Sequence, residues 1–343
     1  MAQENLLINQ VLIESKYGNR SFNLILGDLL QDDGQLLVLN VYEEDGAPDG
    51  DFMPFIEQHK NNEKPLIFLR NGGIITFINA QQPILVVYSK LQEGIPISPT
   101  MYDEFIQSIF SAVLRLELEG KQFNTIALPV IFRKGIGAIY EDAANTLISY
   151  AAKWLKQSQF TKSIRYYVYL KDDMPVWDAA LNTALGRMII DLSEHGELQQ
   201  IRRVVLSEIE RFSKQHVAYQ DTLIPIRDAL ERPQMTVEVI AAFTRKLAET
   251  LCVELTGDAH ATFDANIFTL IQQKIHSQLF IQRLYLVKAF GNSSIHRATT
   301  ENYPIQTTID DLKILLIILL QLIKDFPKEN LIKKVEVETP NIL

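Results

Sequence analysis

The period of the hydrophobic pattern changes near Leu192, and that change limits the chain to two architectures in succession. Before it, β-branched runs recur at "LLINQVLIE", "FNLILGD", "QLLVLNV", "KPLIFLR", "GIITFIN", "PILVVYS", "NTIALPVI" and "SIRYYVYL". Most are short and bounded by Gly, Asn, Asp or Pro, which marks strands. After it, "ELQQIRRVVLSEIERF", "TVEVIAAFTRKLAETLCVEL", "ANIFTLIQQKIHSQ", "LFIQRLYLVKAF" and "TTIDDLKILLIILLQLIKDF" carry apolar residues at helical spacing. The 343 residues exceed one ordinary domain, since domains run about 100–200 residues. The pattern predicts an α/β domain over 1–190, an all-α bundle over 191–328 and a charged tail over 329–343.

Helices interrupt the strands of the first half. Thr100 suits an N-cap, with Asp103 in the first turn and Phe105, Ile109, Ala112, Val113 and Leu116 along one face. A second helix begins near Glu141 and aligns Ala144, Leu147, Ile148, Ala151 and Leu155; a third follows Pro175 and contains Trp177. Strand–helix alternation after Pro83 implies parallel strands with helical crossovers. The earlier, closely spaced strands imply antiparallel pairs, so the sheet is mixed, with helices on its faces. In the second half, Thr308 and Asp311 form a capping box with Asp in place of Glu. Breaks fall at "RPQM", "TGDAHATFD" and "GNSSIHRATTENYPIQ". The tail "PKENLIKKVEVETPNIL" reads as loose, with "VEVE" able to pair as an edge strand.

Charge narrows the ligands. Residues 1–190 hold 22 acids and 16 bases, and residues 191–343 hold 20 and 17, so neither half has a basic excess. Nucleic acid as a main partner is disfavoured on that ground. The single cysteine, Cys252, excludes an intrachain disulfide and, in an apolar stretch, reads as buried. "MAQENLLINQ" lacks a signal peptide's basic start and long apolar core. The apolar run Ile314–Leu320 is far short of the ~20 residues of a membrane span. A cytoplasmic protein with no membrane association is expected.

The turn "ALPVIFRKGIGAIYEDAA" joins a strand to a helix through Gly135 and Gly137. Glycines let a ligand approach the main chain, and the helix start offers unpaired N–H groups to an anion. A Rossmann fingerprint would need glycine where Tyr140 stands, and Glu141 and Asp142 suit the helix dipole without any ligand. Alone, the turn reads as structural. The order of elements adds to it. Gly27-Asp28, Leu39-Asn40, Pro129 with Gly135 and Gly137, and Ala143-Ala144 occur in the order seen in macro domains. Over roughly residues 5–187 the chain resembles that family, a mixed α/β module known for binding ADP-ribose. The resemblance implies that Asp28 contacts adenine, that Asn40 belongs to the first ligand loop, and that Gly135, Ile136, Gly137 and Ala138 wrap the diphosphate. The sequence departs from the family after Asn40: in "VYEEDGAPDGDF" the second Asn, linked in the family to hydrolysis, is replaced near Glu43, and the glycine run is thinned to Gly46 and Gly50 amid Glu43, Glu44, Asp45, Asp49 and Asp51. The lost Asn disfavours an ADP-ribosyl hydrolase, and the carboxylates would repel a diphosphate unless a metal or the basic Arg133 and Lys134 of the opposing loop compensate.

In the second half, Arg245 and Glu249 share a helix face at i, i+4. "LVKAFGNSSIHRAT" follows, read as a helix ending at Gly291-Asn292 with His296 beyond. Over roughly 195–328 this resembles the HEPN-like helical family, closest to the domain accompanying restriction and phage-defence proteins. That resemblance implies dimerisation. Active HEPN ribonucleases place an Arg with four to six residues between it and the His, where this chain has Ala289, Phe290 and Gly291. His296 therefore reads as a structural residue first and a candidate general acid–base second. No histidine cluster, GxSxG or P-loop is present, and "GDAHATFD" reads as a solvated loop, so no metal is expected.

Together these readings predict a bacterial-type defence or signalling protein. Its macro-like half would sense an ADP-ribose-related nucleotide or a partner protein, and its helical half would form a homo-oligomer. The alternatives are a ribonuclease effector using His296 and a non-catalytic structural subunit of a defence complex with other defence-system proteins.

Overall fold

The computed structural model describes residues 5–44, 47–49, 52–59, 63–70, 73–90, 98–130, 140–297 and 307–338. The chain divides into two compact units, Met1–Gly186 and Arg187–Leu343. The first is α/β and the second mostly helical.

In the first unit the order is β1 (Leu6–Ser15), β2 (Gly18–Leu26), β3 (Leu36–Glu44), β4 (Ala47–Asp49), α1 (Met53–His59), β5 (Glu63–Phe68), β6 (Ile74–Ile78), β7 (Ile84–Lys90), α2 (Pro99–Leu118), β8 (Thr125–Pro129), α3 (Tyr140–Gln157), β9 (Ser163–Val168) and α4 (Met174–Ala184). The strands form one sheet in the order β1-β2-β9-β8-β3-β7-β6-β5, with β4 paired to β3. The neighbours β2, β9, β8, β3 and β7 run parallel. β1, β6 and β5 add antiparallel flanks. Each strand segment expected from the pattern is present.

Two faces follow from the pleat. Ile25, Leu37, Leu39, Val41, Ala127 and Tyr167 point to one side, where Ile56 of α1 and Leu29 cover them. On the other side Phe22 stacks on Tyr166, whose ring lies 5.1 Å from Trp177 of α4. Tyr140, the first residue of α3, packs edge-on against the same Trp177 at 5.4 Å. Trp177 is 2% exposed; burying such a ring stabilises by about 3 kcal/mol or more. The paired Ala143 and Ala144 are both buried on α3, which packs on β1, β2 and β9. α2 starts earlier than the sequence suggested. Ser98, not Thr100, is the N-cap, accepting from the Met101 N–H at 3.2 Å. Pro99 explains the difference, since proline fits the first helical position without a donor.

The outer strand β5 is closed to further pairing in three ways. Pro65 has no N–H, the register shifts between Pro65 and Ile67, and Arg115 of α2 donates to the Leu66 carbonyl at 2.5 Å.

The second unit contains β10 (Ile190–Asp191), α5 (Gly196–Gln215), α6 (Gln220–Glu231), β11 (Gln234–Met235), α7 (Val237–Thr256), α8 (Phe263–Gln273), α9 (Gln278–Arg297) and α10 (Ile309–Glu338). β10 and β11 pair antiparallel. α7 is its central element and packs on α6, α8, α9 and α10. A helix buried on nearly all sides needs an apolar surface all round, and "VIAAFTRKLAETLCVEL" supplies most of it. Thr236 caps its start at 3.3 Å, and Gly257, at φ 79°, ends it. The Thr308/Asp311 box forms reciprocally: Thr308 N–H donates to Asp311 at 2.8 Å, and Asp311 N–H to Thr308 Oγ1 at 3.2 Å.

The helical unit corrects two expectations. Residues 329–338 are not a loose tail or an edge strand but the continuation of α10. Glu329 shows why: it is buried, accepts from the Ser277 N–H at 3.2 Å and lies 3.0 Å from His276 Nδ1, tying α10 to the start of α9. Nor does a helix end at Gly291-Asn292; α9 continues to Arg297. Gly291 serves packing instead of capping, lying against Arg245 of α7.

Candidate functional site

Parallel strands place their carboxyl ends on one edge, where open α/β sheets bind ligands. On that edge Asp28 follows β2, Tyr169 follows β9, and β8 ends at Pro129 before α3 resumes at Tyr140. Gly135, Ile136, Gly137 and Ala138 lie outside the described residues, as do Arg133 and Lys134.

Asp28 caps a 3-10 turn, Leu29–Gln31. Its Oδ1 accepts from the Leu30 N–H at 3.0 Å and its Oδ2 from Gln31 Nε2 at 3.2 Å. These bonds aim the carboxylate while leaving it half-exposed. Asn5 reaches the same turn. Its Oδ1 accepts from the Asp28 N–H at 3.1 Å, and its Nδ2 donates to the Tyr167 hydroxyl at 3.3 Å. A Cβ at Gly27 would collide with Asn5 Oδ1 and sit 3.0 Å from Asn5 Cα.

The network continues beneath the turn. Tyr167 donates to Asp32, whose buried carboxylate also receives Arg165 at 3.0 Å and the Gly34 N–H. Arg165 reaches Asp33 at 2.5 Å, and that hydrogen bond, with the guanidinium's charge, holds the Asp33 carboxyl below its ordinary range. Burial opposes charge on Arg165, but its bonds to Asp33 and Asp32 raise its pKa overall. Burial and the Asp32 bond push the Tyr167 hydroxyl up as well.

Asn40 is placed differently from the expectation. It lies inside β3, opposite Val87 of β7, and is 6% exposed. β3 continues past it to Glu44 and pairs with β4, so a β-hairpin stands where the resemblance implied a ligand loop. "VYEE" supplies the β-branched and aromatic start that extends the strand. Tyr169 is the residue the sequence reading missed. It is 63% exposed directly after β9, beside the Gly27 turn, where the Gly27 N–H donates to Val168 O at 3.0 Å. An aromatic ending a strand that enters a ligand edge was the available signal.

On the opposite edge an open depression of about 550 Å³ is lined by Asp32, Gly34, Asn79, Gln82 and Lys121. Gln82 closes its wall by donating to the Asp32 and Gly34 carbonyls, both at 2.9 Å. Among the described residues no group of three or more His, Cys, Asp or Glu side chains is arranged to hold a metal.

In the helical unit Arg245 donates to Glu249 at 2.8 Å, and its guanidinium stands 5.9 Å from the Phe263 ring centre. Arg245 is 5% exposed. Gly291 lies against it, so that a Cβ there would meet Arg245 Cδ at 2.5 Å. Asn292 and His296 belong to α9, but their side chains lie outside the described residues. Cys252 is buried, which raises its thiol pKa. Among the described residues no helix is long and apolar enough to cross a membrane.

No protein-family model matches the chain, and no curated protein does. Solved structures that resemble it include macrodomains. A Trypanosoma brucei macrodomain in complex with ADP is 12% identical, with 47% of this chain and 68% of that one covered and a TM-score of 0.36. An Oceanobacillus iheyensis macrodomain with ADP is 11% identical, covering 54% and 99%, with a TM-score of 0.34. The same macrodomain with MES bound is 13% identical, covering 52% and 98%, with a TM-score of 0.33.

Proposed function

We propose that the first unit binds an ADP-ribose-related nucleotide along the carboxyl edge of its sheet. The observation that carries this is the placement of Asp28 at the carboxyl end of β2 with the exposed Tyr169 beside it at the end of β9. β9 and β8 separate β2 from β3, so β2 and β3 stand about 14 Å apart across the sheet at ~4.8 Å per step. A diphosphate-linked molecule covers that span, with its base at Asp28 and its far sugar toward β3. Asp28 would accept from the exocyclic amine of an adenine, and Tyr169 would offer a face for the ring to stack on. The sequence order of Gly27-Asp28, Asn40 and the glycine turn supports the same ligand class. The helical unit would mediate self-assembly, in a cytoplasmic defence or signalling role.

Calorimetry on the full chain with ADP-ribose tests this reading. Binding that Asp28→Ala and Tyr169→Ala weaken is the expected result. Folded wild-type protein that releases no heat with ADP-ribose overturns it. Light scattering tests assembly, and a monomer at all concentrations removes that part alone.

A further inference from the structure

The Asp28 turn is held from outside its own strand. Asn5, 23 positions earlier, accepts the Asp28 N–H, and the Tyr167 hydroxyl in turn accepts from Asn5. Tyr167 is fixed by Asp32, and Asp32 by Arg165. Gly27 makes room for this contact. It is absent from the glycines with positive φ, so its lack of a side chain serves space and not a left-handed backbone. Any larger residue would push Asn5 away from Asp28.

We propose that Asn5 is a positioning residue for the base-reading carboxylate, with Gly27 as the gap it fits and Tyr167 as its anchor. The proposal rests on the nucleotide reading above and adds to it the means by which a 6-amino purine is selected. Asn5 does not reach the base. It fixes where the Asp28 main chain stands, and the bonds from Leu30 and Gln31 then set the carboxylate direction. A binding group loses discrimination when its support loosens, even with its own chemistry intact.

The test compares ADP-ribose with inosine diphosphate ribose, which carries a carbonyl in place of the 6-amino group. Wild type should prefer ADP-ribose. Asn5→Ala should weaken ADP-ribose binding about tenfold, close to 1.4 kcal/mol, and leave the inosine compound unchanged, so the preference disappears. Gly27→Ala should do the same, and the double variant should lose no more than either alone, because both remove one contact. Tyr167→Phe should give a smaller loss of the same kind.

Asn5 is exposed, so Asn5→Ala decides the matter even if Gly27→Ala fails to fold. Equal weakening of both compounds with a lowered Tm means support of the fold only and overturns the proposal. So does wild-type preference retained in Asn5→Ala. Wild type that binds neither compound overturns the nucleotide reading, and this proposal with it.

Discussion

Gly291 of α9 and Arg245 of α7 touch so closely that a Cβ on the glycine would stand 2.5 Å from Cδ and 3.2 Å from Cβ of the arginine. Arg245 is held by Glu249 and by the Phe263 ring, so it has little freedom to withdraw. Gly291→Ala should destabilise the helical unit by about 1–3 kcal/mol, the usual cost of overpacking. A lower urea midpoint at unchanged slope is the expected signature. Combined with Arg245→Ala, the glycine substitution should cost little more.

The Asp32 carboxylate is fully buried, while Arg165 keeps a partly wet edge. Arg165→Met should therefore cost about 3–5 kcal/mol, since it strands a buried charge. Asp32→Asn together with Arg165→Met should recover part of that loss. Thermal unfolding of the two variants beside wild type checks the order.

Glu117 titrates above its ordinary range because burial disfavours its charge, although Ser158 and Thr161 donate to it. An acid with a raised native pKa binds more protons folded than unfolded. Its share of stability is therefore present at low pH and lost as pH rises through the native value. Glu117→Gln should abolish that decline, flattening the Tm profile just above the carboxylate range. An unchanged profile would show that Glu117 titrates alike in both states.

Glu329→Ala should cost about 2 kcal/mol, because it leaves the Ser277 N–H and the buried Nδ1 of His276 without their acceptor, with only Gln273 still facing the ring's Nε2. Amide exchange at the first turn of α9 should rise in this variant. Protection as in wild type would show that water or a neighbour replaces the carboxylate.

Period carried much of the fold into the sequence. Strands buried on two faces and helices with one apolar stripe left unmistakable patterns, and Thr308 with Asp311 announced a cap that forms as read. Proline misled once: α10 runs through Pro327 to Glu338, because packing on neighbours outweighs one missing hydrogen bond. Glycine misled once: Gly291 looked like a helix end but answers a partner on another helix, which no local pattern reveals. The site shows the same limit. Asp28 at its strand end was legible, whereas its dependence on Asn5 and Tyr167 arises only when distant strands pair. The extension of β3 past Asn40 was hidden because acidic residues at a strand end look like a loop.

The guarded β5 edge carries a consequence for the protein's life in a crowded solution. Fibrils and runaway assemblies grow by adding one backbone to the bare rim of another. At β5 a proline, a slipped register and an arginine seated on the Leu66 carbonyl leave an incoming strand no continuous ladder to join. Removing the Arg115 side chain should therefore show itself less in melting than in shelf life, as slow loss of protein to sediment.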